Sequence, residues 1–234
     1  MAESSLQGRD SIFDWRVFAD ATCAGLSMLV PVPLVDIFFE RIFRRRIPGT
    51  IGRVREKTIA SEVRAELGRP VEAPSSFVSG CLWLPIKVGK YILTRLWRKI
   101  IYIFTVQDAA VALAEYWHRA YLIDHMTRGG HLSPEADTDL AIDVFNRVLQ
   151  EIDPSPLFTL AQRTVDSATH VFRLLLRARK LGAAEVMRSF DGLLDSQWDM
   201  AEARFWETAI LYNEMYAAEL VAREKAGIES GARN

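Results

Sequence analysis

The clearest candidates for chemistry are a glutamate and a histidine, Glu115 and His118, at the Glu-x-x-His spacing that puts two metal ligands on one helix face. Di-metal carboxylate bundles use two such motifs and two further glutamates. Asp166 and His170, the nearest second pair, are one residue too far apart. The sequence therefore keeps a di-metal carboxylate enzyme only as an alternative. We expect Glu115 and His118 to form a surface pair, with no metal bound.

Other catalytic motifs are missing from the sequence. It contains no GxxxxGK[ST], GxGxxG, GxSxG or HExxH pattern. Asp124, His125 and His131 lie around a Gly-Gly turn and are expected to be solvated or capping residues. We therefore predict no catalytic residue and no cofactor, and favour a non-enzymatic protein.

Charge is distributed unevenly along the 234 residues, although the net charge is −1. Residues 1–107 hold 16 basic and 10 acidic residues, whereas residues 108–234 hold 13 basic and 20 acidic residues. Between Arg41 and Lys99 there are 14 basic and 4 acidic residues. The overall balance argues against nucleic-acid binding, which needs surplus cations, while the basic band suits an anionic surface.

Cations border apolar residues in two parts of this band. In the first, Phe38 and Phe39 precede Arg44, Arg45 and Arg46. The second, Trp83 to Phe104, is predicted to be a basic amphipathic helix, the type that lies on an anionic membrane surface. Its predicted membrane-binding residues are Trp83, Lys87, Lys90, Arg95, Trp97, Arg98 and Lys99. In the alternative interpretation, the apolar faces are core and the cations are solvated.

The segment from Ala21 to Val35 is uncharged for 15 residues and contains Pro31 and Pro33. It is shorter than the ~20 apolar residues that a spanning helix needs. A helix to about Leu29, a Pro-x-Pro corner and a second helix from about Leu34 are predicted, either inserted in lipid as a hairpin or packed as core. The small residues Ala21, Ala24, Gly25 and Ser27 would allow close helix approach in either setting.

Residues 17–69 resemble bacterial EcsC-like and YcjF-type membrane-associated helical proteins in the apolar small-residue run, the Pro-x-Pro corner and the following Asp36. The resemblance implies an all-helical protein that touches the cytoplasmic membrane, and it carries over no catalytic residue. The chain departs from that pattern in its Arg44-Arg45-Arg46 run and at Pro48.

Helix boundaries follow from prolines, glycines and caps. Pro48-Gly49 is expected to break the chain, with a helix from about Thr50 to Leu67 that ends at Gly68. Gly129-Gly130 is expected to end a helix from Gln107, and Ser133 to cap the next one. A helix from Ser155 and two helices hinged near Gly192 complete an antiparallel bundle.

These patterns predict an all-α helical bundle with an N-terminal apolar hairpin and a basic amphipathic helix. Two regions are expected: 1–107, basic and membrane-proximal, and 108–234, acidic. The favoured function is binding to the cytoplasmic face of an anionic lipid membrane, peripherally or as a re-entrant hairpin, with the acidic bundle presented to a protein partner. The alternatives are a soluble cytoplasmic interaction or homo-oligomerisation module and the di-metal enzyme.

Two further features of the sequence bear on location. The acidic residues among Met1 to Asp20 do not fit a signal peptide. Cys23 and Cys81 lie in apolar stretches, where a thiol packs as a small hydrophobe. Both features favour a reduced, cytosolic environment.

Overall fold

The computed structural model describes residues 14–29, 35–70, 93–166 and 183–231, and the side chains of α4 before Gln107 and of α7 before Ala201 lie outside the description. Every regular element in these ranges is a helix, so the predicted all-α fold is confirmed. The helices are α1 (Trp15–Leu26), α2 (Val35–Val54), α3 (Ser61–Leu67), α4 (Leu93–Arg128), α5 (Thr138–Glu151), α6 (Ser155–Asp166) and α7 (Ala183–Gly231).

Helix α4 is the centre of the bundle and contacts the other long helices. One hydrophobic core combines buried residues of α1, α2 and α3 with those of α4 to α7. The predicted boundary at residue 107 lies inside α4, and buried residues of α1 to α3 share one core with those that follow Gln107.

The apolar segment after residue 20 begins as part of this core. Ala21, Ala24 and Leu26 of α1 are fully buried, and α1 packs on both α4 and α2. A short 3-10 turn, Ser27–Leu29, follows α1, and α2 begins at Val35, which agrees with the predicted ends of the two helices. The Pro-x-Pro corner itself lies outside the described residues.

The predicted break at Pro48-Gly49 is wrong, because α2 continues through both residues to Val54. Proline removes one amide donor from a helix and crowds the preceding turn. Here Ile47 and Ile51, on either side of it, are both fully buried in the core. We infer that their packing offsets the local cost of the proline.

The chain reverses after Val54 instead, at Glu56. The Lys57 amide donates to the Gly52 carbonyl at 2.8 Å, and the Glu56 amide donates to the Arg53 carbonyl at 3.3 Å. This is the Schellman pattern, with Glu56 at the left-handed position where glycine is usual, at φ +53°. Helix α3 then ends at Gly68 as predicted.

Three boundaries in the second half are also informative. Gly129 and Gly130 end α4 as predicted, but α4 begins at Leu93 and not near Gln107. Helix α5 begins at Thr138, since the cap is Asp137, whose carboxylate accepts from the Leu140 amide at 3.0 Å, and not Ser133.

The predicted hinge near Gly192 is wrong, because α7 is continuous through it. A single glycine in a helix costs about 1 kcal/mol and does not by itself end the helix.

Candidate functional site

A cavity of about 770 Å³ lies between α2 and α3, and we call it the arginine groove. Seven of its lining residues are arginines, and none is a lysine, an aspartate or a glutamate. The seven are Arg41, Arg44, Arg45, Arg46, Arg53, Arg64 and Arg69.

The continuity of α2 brings these residues together. Arg41, Arg45, Gly49 and Arg53 recur at every fourth position, so at 100° per residue they share an arc of about 120°. If α2 ended at Pro48, Arg53 would belong to another element. The opposite wall is α3.

Two glycines line the groove, and one of them is needed for the close approach of its walls. A Cβ at Gly68 would lie 3.3 Å from the Arg45 Cα, so a larger residue would push α3 away from α2. A Cβ at Gly49 would lie 3.7 Å from Nη1 of Arg64, an ordinary contact distance. The close approach of the two helices therefore depends on Gly68.

Arg44 holds the two walls together. Its Nε donates to the Gly68 carbonyl at 2.9 Å, and its Nη1 pairs with Oε1 of Glu40. The Tyr116 hydroxyl of α4 donates to the same Glu40 oxygen, and burial is the largest cause that raises the pKa of Tyr116. Arg44, which was predicted to contact lipid, is largely buried, and its contacts hold the end of α3 against α2.

Helix α1 supports the floor of the groove through Asp20, a buried carboxylate. Thr50 donates its hydroxyl to Oδ2 of Asp20 at 2.6 Å. Nε of Arg46 lies 3.5 Å from Oδ1 of the same residue, while the Arg46 side chain stays exposed. Asp20 therefore links α2 to the core and neutralises one arginine.

A second buried cation, Arg119 of α4, anchors the end of α3. Its Nη1 donates to the carbonyls of Leu67 at 2.6 Å and Arg69 at 3.0 Å. Its guanidinium lies over the Phe145 ring, 5.4 Å from the centroid. Burial lowers the pKa of Arg119 to about 10, so the group stays charged at neutral pH. A cation at the last carbonyls also complements the dipole of a helix C-terminus.

The groove arginines differ in how they are neutralised. Arg44, Arg46 and Arg69 pair with Glu40, Asp20 and Glu66. The other four, Arg41, Arg45, Arg53 and Arg64, form no ion pair with any carboxylate that the structure describes. The four are all exposed, and they leave a concentrated positive charge on one side of the molecule.

Exposed apolar residues begin the same helix, and we call Ile37, Phe38 and Phe39 the apolar tip. The exposed fractions are 61%, 61% and 40%. The rings of Phe38 and Phe39 lie 6.2 Å apart, and that of Phe39 lies 6.3 Å from the ring of Phe43. At 1.5 Å per residue, Phe39 precedes Arg45 by about 9 Å along α2. The apolar tip and the arginine groove are therefore neighbours.

The structure does not describe the side chains of the remaining predicted membrane-binding residues. Trp83, Lys87 and Lys90 lie outside the described residues. The backbone of α4 includes Arg95, Trp97, Arg98 and Lys99, whose side chains are not described. These residues stay predictions.

The prediction of a surface Glu115–His118 pair is wrong for the histidine. His118 is 3% exposed, and its Nδ1 lies 3.1 Å from the Thr208 hydroxyl of α7. Its Nε2 has no partner, and burial lowers the pKa of His118 to about 4. Glu115 is exposed. Among the described residues, no group of three or more His, Cys, Asp or Glu side chains could hold a metal ion.

Asp124, expected to be a solvated or capping residue, is instead buried and bound to two arginines. Nε and Nη2 of Arg55 lie 2.6 and 3.0 Å from the two carboxylate oxygens, and Nε of Arg128 lies 3.0 Å from one of them. Because Arg55 directly follows the last residue of α2, its pairing with Asp124 ties the turn between α2 and α3 to α4.

The sequence predicted Arg45 and Arg46 to bind a membrane, and it did not single out Arg64, which lines the groove, or Arg119, which anchors α3. The i, i+4 spacing of Arg41 and Arg45 was a readable local signal. No local pattern shows that Arg64 faces them from another helix, or that Arg119 reaches α3 from α4.

Neither a known relative nor a membrane-spanning helix was found for this chain within the described residues. Comparisons with family models, curated proteins and solved structures find no match to this chain. Within the described ranges, no helix combines the length and apolar character needed to cross a bilayer.

Proposed function

We propose that this helical protein binds the cytoplasmic face of an anionic membrane peripherally, through the apolar tip and the arginine groove of α2. The observation that carries the proposal is their adjacency on one helix. Exposed Phe38 and Phe39 begin the helix whose later turns carry Arg41, Arg45 and Arg53, exposed arginines with no described ion pair. Apolar side chains that enter the interface, combined with cations that attract anionic headgroups, are how peripheral helices bind membranes.

The buried part of the N-terminal segment narrows this proposal. Ala21, Ala24 and Leu26 are in the protein core, so lipid contact is assigned to the start of α2 and not to the whole predicted hairpin. The proposal keeps the segment from Trp83 to Phe104 as a second contact. The resemblance to EcsC-like membrane-associated proteins is in accord with it.

Vesicle flotation tests the proposal. The full chain should float with vesicles of phosphatidylcholine and phosphatidylglycerol, and much less with phosphatidylcholine alone. Replacing both Phe38 and Phe39 by serine should weaken binding at least about tenfold, since a buried phenylalanine contributes about 1.5–3 kcal/mol. Raised salt should also weaken it. A chain that stays in the soluble fraction with both vesicles would contradict the proposal.

Helix α7 provides the matched control and favours one alternative function. Trp206, Ile210, Leu220 and Val221 are exposed, and at 100° per residue they share an arc of about 100°. An exposed apolar stripe of this kind is typical of a helix that meets another helix. The alternative is therefore a soluble oligomerisation or interaction module.

The two functions are separated by reciprocal variants. In the alternative, the wild type does not float, and replacing Trp206 and Ile210 by serine converts an oligomer to a monomer in light scattering. In the proposed function, the same change leaves flotation at the wild-type level, whereas the Phe38 and Phe39 changes weaken it.

A further inference from the structure

The arginine groove has features that a general attraction to anionic lipid does not require. An apolar tip with scattered cations would suffice for that, because surface charge acts over about 10 Å at ordinary salt. Here seven arginines converge in one cavity of about 770 Å³. That volume is within the range of small-molecule sites.

We propose that the arginine groove binds a multiply charged phosphate group, either the phosphomonoester headgroup of a lipid or a free polyphosphorylated molecule. The phosphate chemistry stands on the groove alone, and its lipid source rests on the proposed function.

The choice of side chain supports phosphate. All seven basic lining residues are arginines, although nearby Lys57 shows that lysine occurs in the same segment. The planar guanidinium donates two parallel hydrogen bonds to two oxygens of one phosphate, which an ammonium group cannot do. A purely electrostatic role would be served equally by either residue.

The charge count supports a multivalent ligand. Arg41, Arg45, Arg53 and Arg64 form no described ion pair, and of the four Arg64 interacts electrostatically with Glu62 of its own helix. A monovalent headgroup would leave most of this charge unneutralised, whereas a phosphomonoester or several phosphates would neutralise more of it. The Ser61 hydroxyl on the α3 wall donates to Oε1 of Glu62 at 2.8 Å and is therefore not counted among the donors of the groove.

Hydrogen bonds to the end of α3 fix the two walls of the groove relative to each other. Arg44 joins Gly68 to α2, and Arg119 joins Leu67 and Arg69 to α4. These contacts fix α3 without using the four unpaired arginines. A site whose walls are fixed before binding loses less entropy when it binds.

Titration calorimetry of the full chain with inositol hexakisphosphate tests the phosphate chemistry. Replacing Arg41, Arg45, Arg53 and Arg64 by glutamine should weaken binding at least about tenfold. The control variant replaces four exposed cations elsewhere, Arg147, Arg204, Arg223 and Lys225, of which the three arginines pair with carboxylates, and binding should stay within about twofold. Equal effects of the two variants would overturn the proposal. If the variant with four substitutions does not fold, R64Q alone provides the test, and it should weaken binding about fivefold.

Flotation identifies the source. Two kinds of vesicle are compared, one with phosphatidic acid and one with phosphatidylglycerol, and both are prepared to have the same surface potential. A groove-dependent preference for phosphatidic acid supports the lipid headgroup. Groove-dependent calorimetric binding without that preference supports a free phosphorylated ligand and rejects the headgroup.

The two proposals fail differently. Loss of flotation with intact calorimetric binding overturns the proposed membrane function alone. Flotation that depends only on Phe38 and Phe39, with no binding of inositol hexakisphosphate, overturns the phosphate site alone.

Discussion

A Cβ built on Gly25 would lie 2.6 Å from the Cα of Leu113, so α1 and α4 touch backbone to backbone at this point. Both residues are buried, and the contact joins the N-terminal segment to the central helix. The predicted close helix approach at this small-residue run is confirmed at Gly25.

Gly25→Ala should therefore lower the free energy of unfolding by about 1–3 kcal/mol, the usual cost of overpacking a core. The gain in helix propensity from alanine, about 0.5–1 kcal/mol, is too small to offset it. Urea unfolding followed by circular dichroism measures the change.

The matched control is Gly49→Ala in the middle of α2, where the nearest atom to an added Cβ is 3.7 Å away. It should raise the free energy of unfolding by up to about 1 kcal/mol, because alanine is the better helix former. If both variants shift stability in the same direction, the Gly25 contact does not control the packing of α1.

Glu56→Gly should stabilise the protein. Glu56 holds φ +53°, a conformation that costs a residue with a Cβ about 1–2 kcal/mol and glycine very little. Glycine also loses more backbone entropy on folding, so a net gain of about 0.5–1 kcal/mol is expected. Glu56→Gln removes the charge but keeps the Cβ, and it should give no gain in the same unfolding measurement. A gain shared by both variants would assign the effect to charge.

The fold was predictable wherever a local signal determined the structure. The helix ends at Gly68 and at Gly129-Gly130, and the helix start at Ser155, follow from glycine, proline and capping chemistry. The continuity of α2 through Pro48 was not predictable, because it depends on the burial of Ile47 and Ile51 in a core that the local sequence does not describe.

The candidate site shows the same division. Phe39 and Arg45 are close in sequence, and their apolar and cationic pattern was readable. The groove requires α3 to lie along α2, and that depends on Arg119, which is 50 residues from Arg69 in the sequence. The misplaced break at Pro48 also hid the four-residue spacing that aligns Arg53 with Arg45.

His118 should make stability depend on pH. Its pKa is about 4 in the folded protein and about 6.5 when unfolded, so the unfolded chain takes up the proton first. Its contribution to stability is therefore complete above pH ~6.5 and decreases as the pH falls toward ~4.

His118→Leu removes this contribution and the unpartnered Nε2 together. Relative to the wild type, the variant should gain about 2–3 kcal/mol of unfolding free energy between pH ~7 and ~4.5. When both proteins are compared at both pH values, the contribution of their shared carboxylates to the pH dependence of stability cancels. An equal pH dependence of the two proteins would show that the wild-type histidine is already protonated or exposed.

Arg119→Met should weaken the attachment of α3 to α4 while all seven groove arginines are kept. Methionine keeps much of the apolar stem but cannot donate to the Leu67 and Arg69 carbonyls, which Arg119 binds at 2.6 and 3.0 Å. Leaving buried acceptors unpaired costs about 1–3 kcal/mol each, so a loss of about 2–4 kcal/mol is expected. Hydrogen exchange should accelerate in α3 more than in α5, and binding of inositol hexakisphosphate should weaken although Arg45 and Arg64 remain. Unchanged exchange in α3 would mean that Arg44 alone fixes the groove.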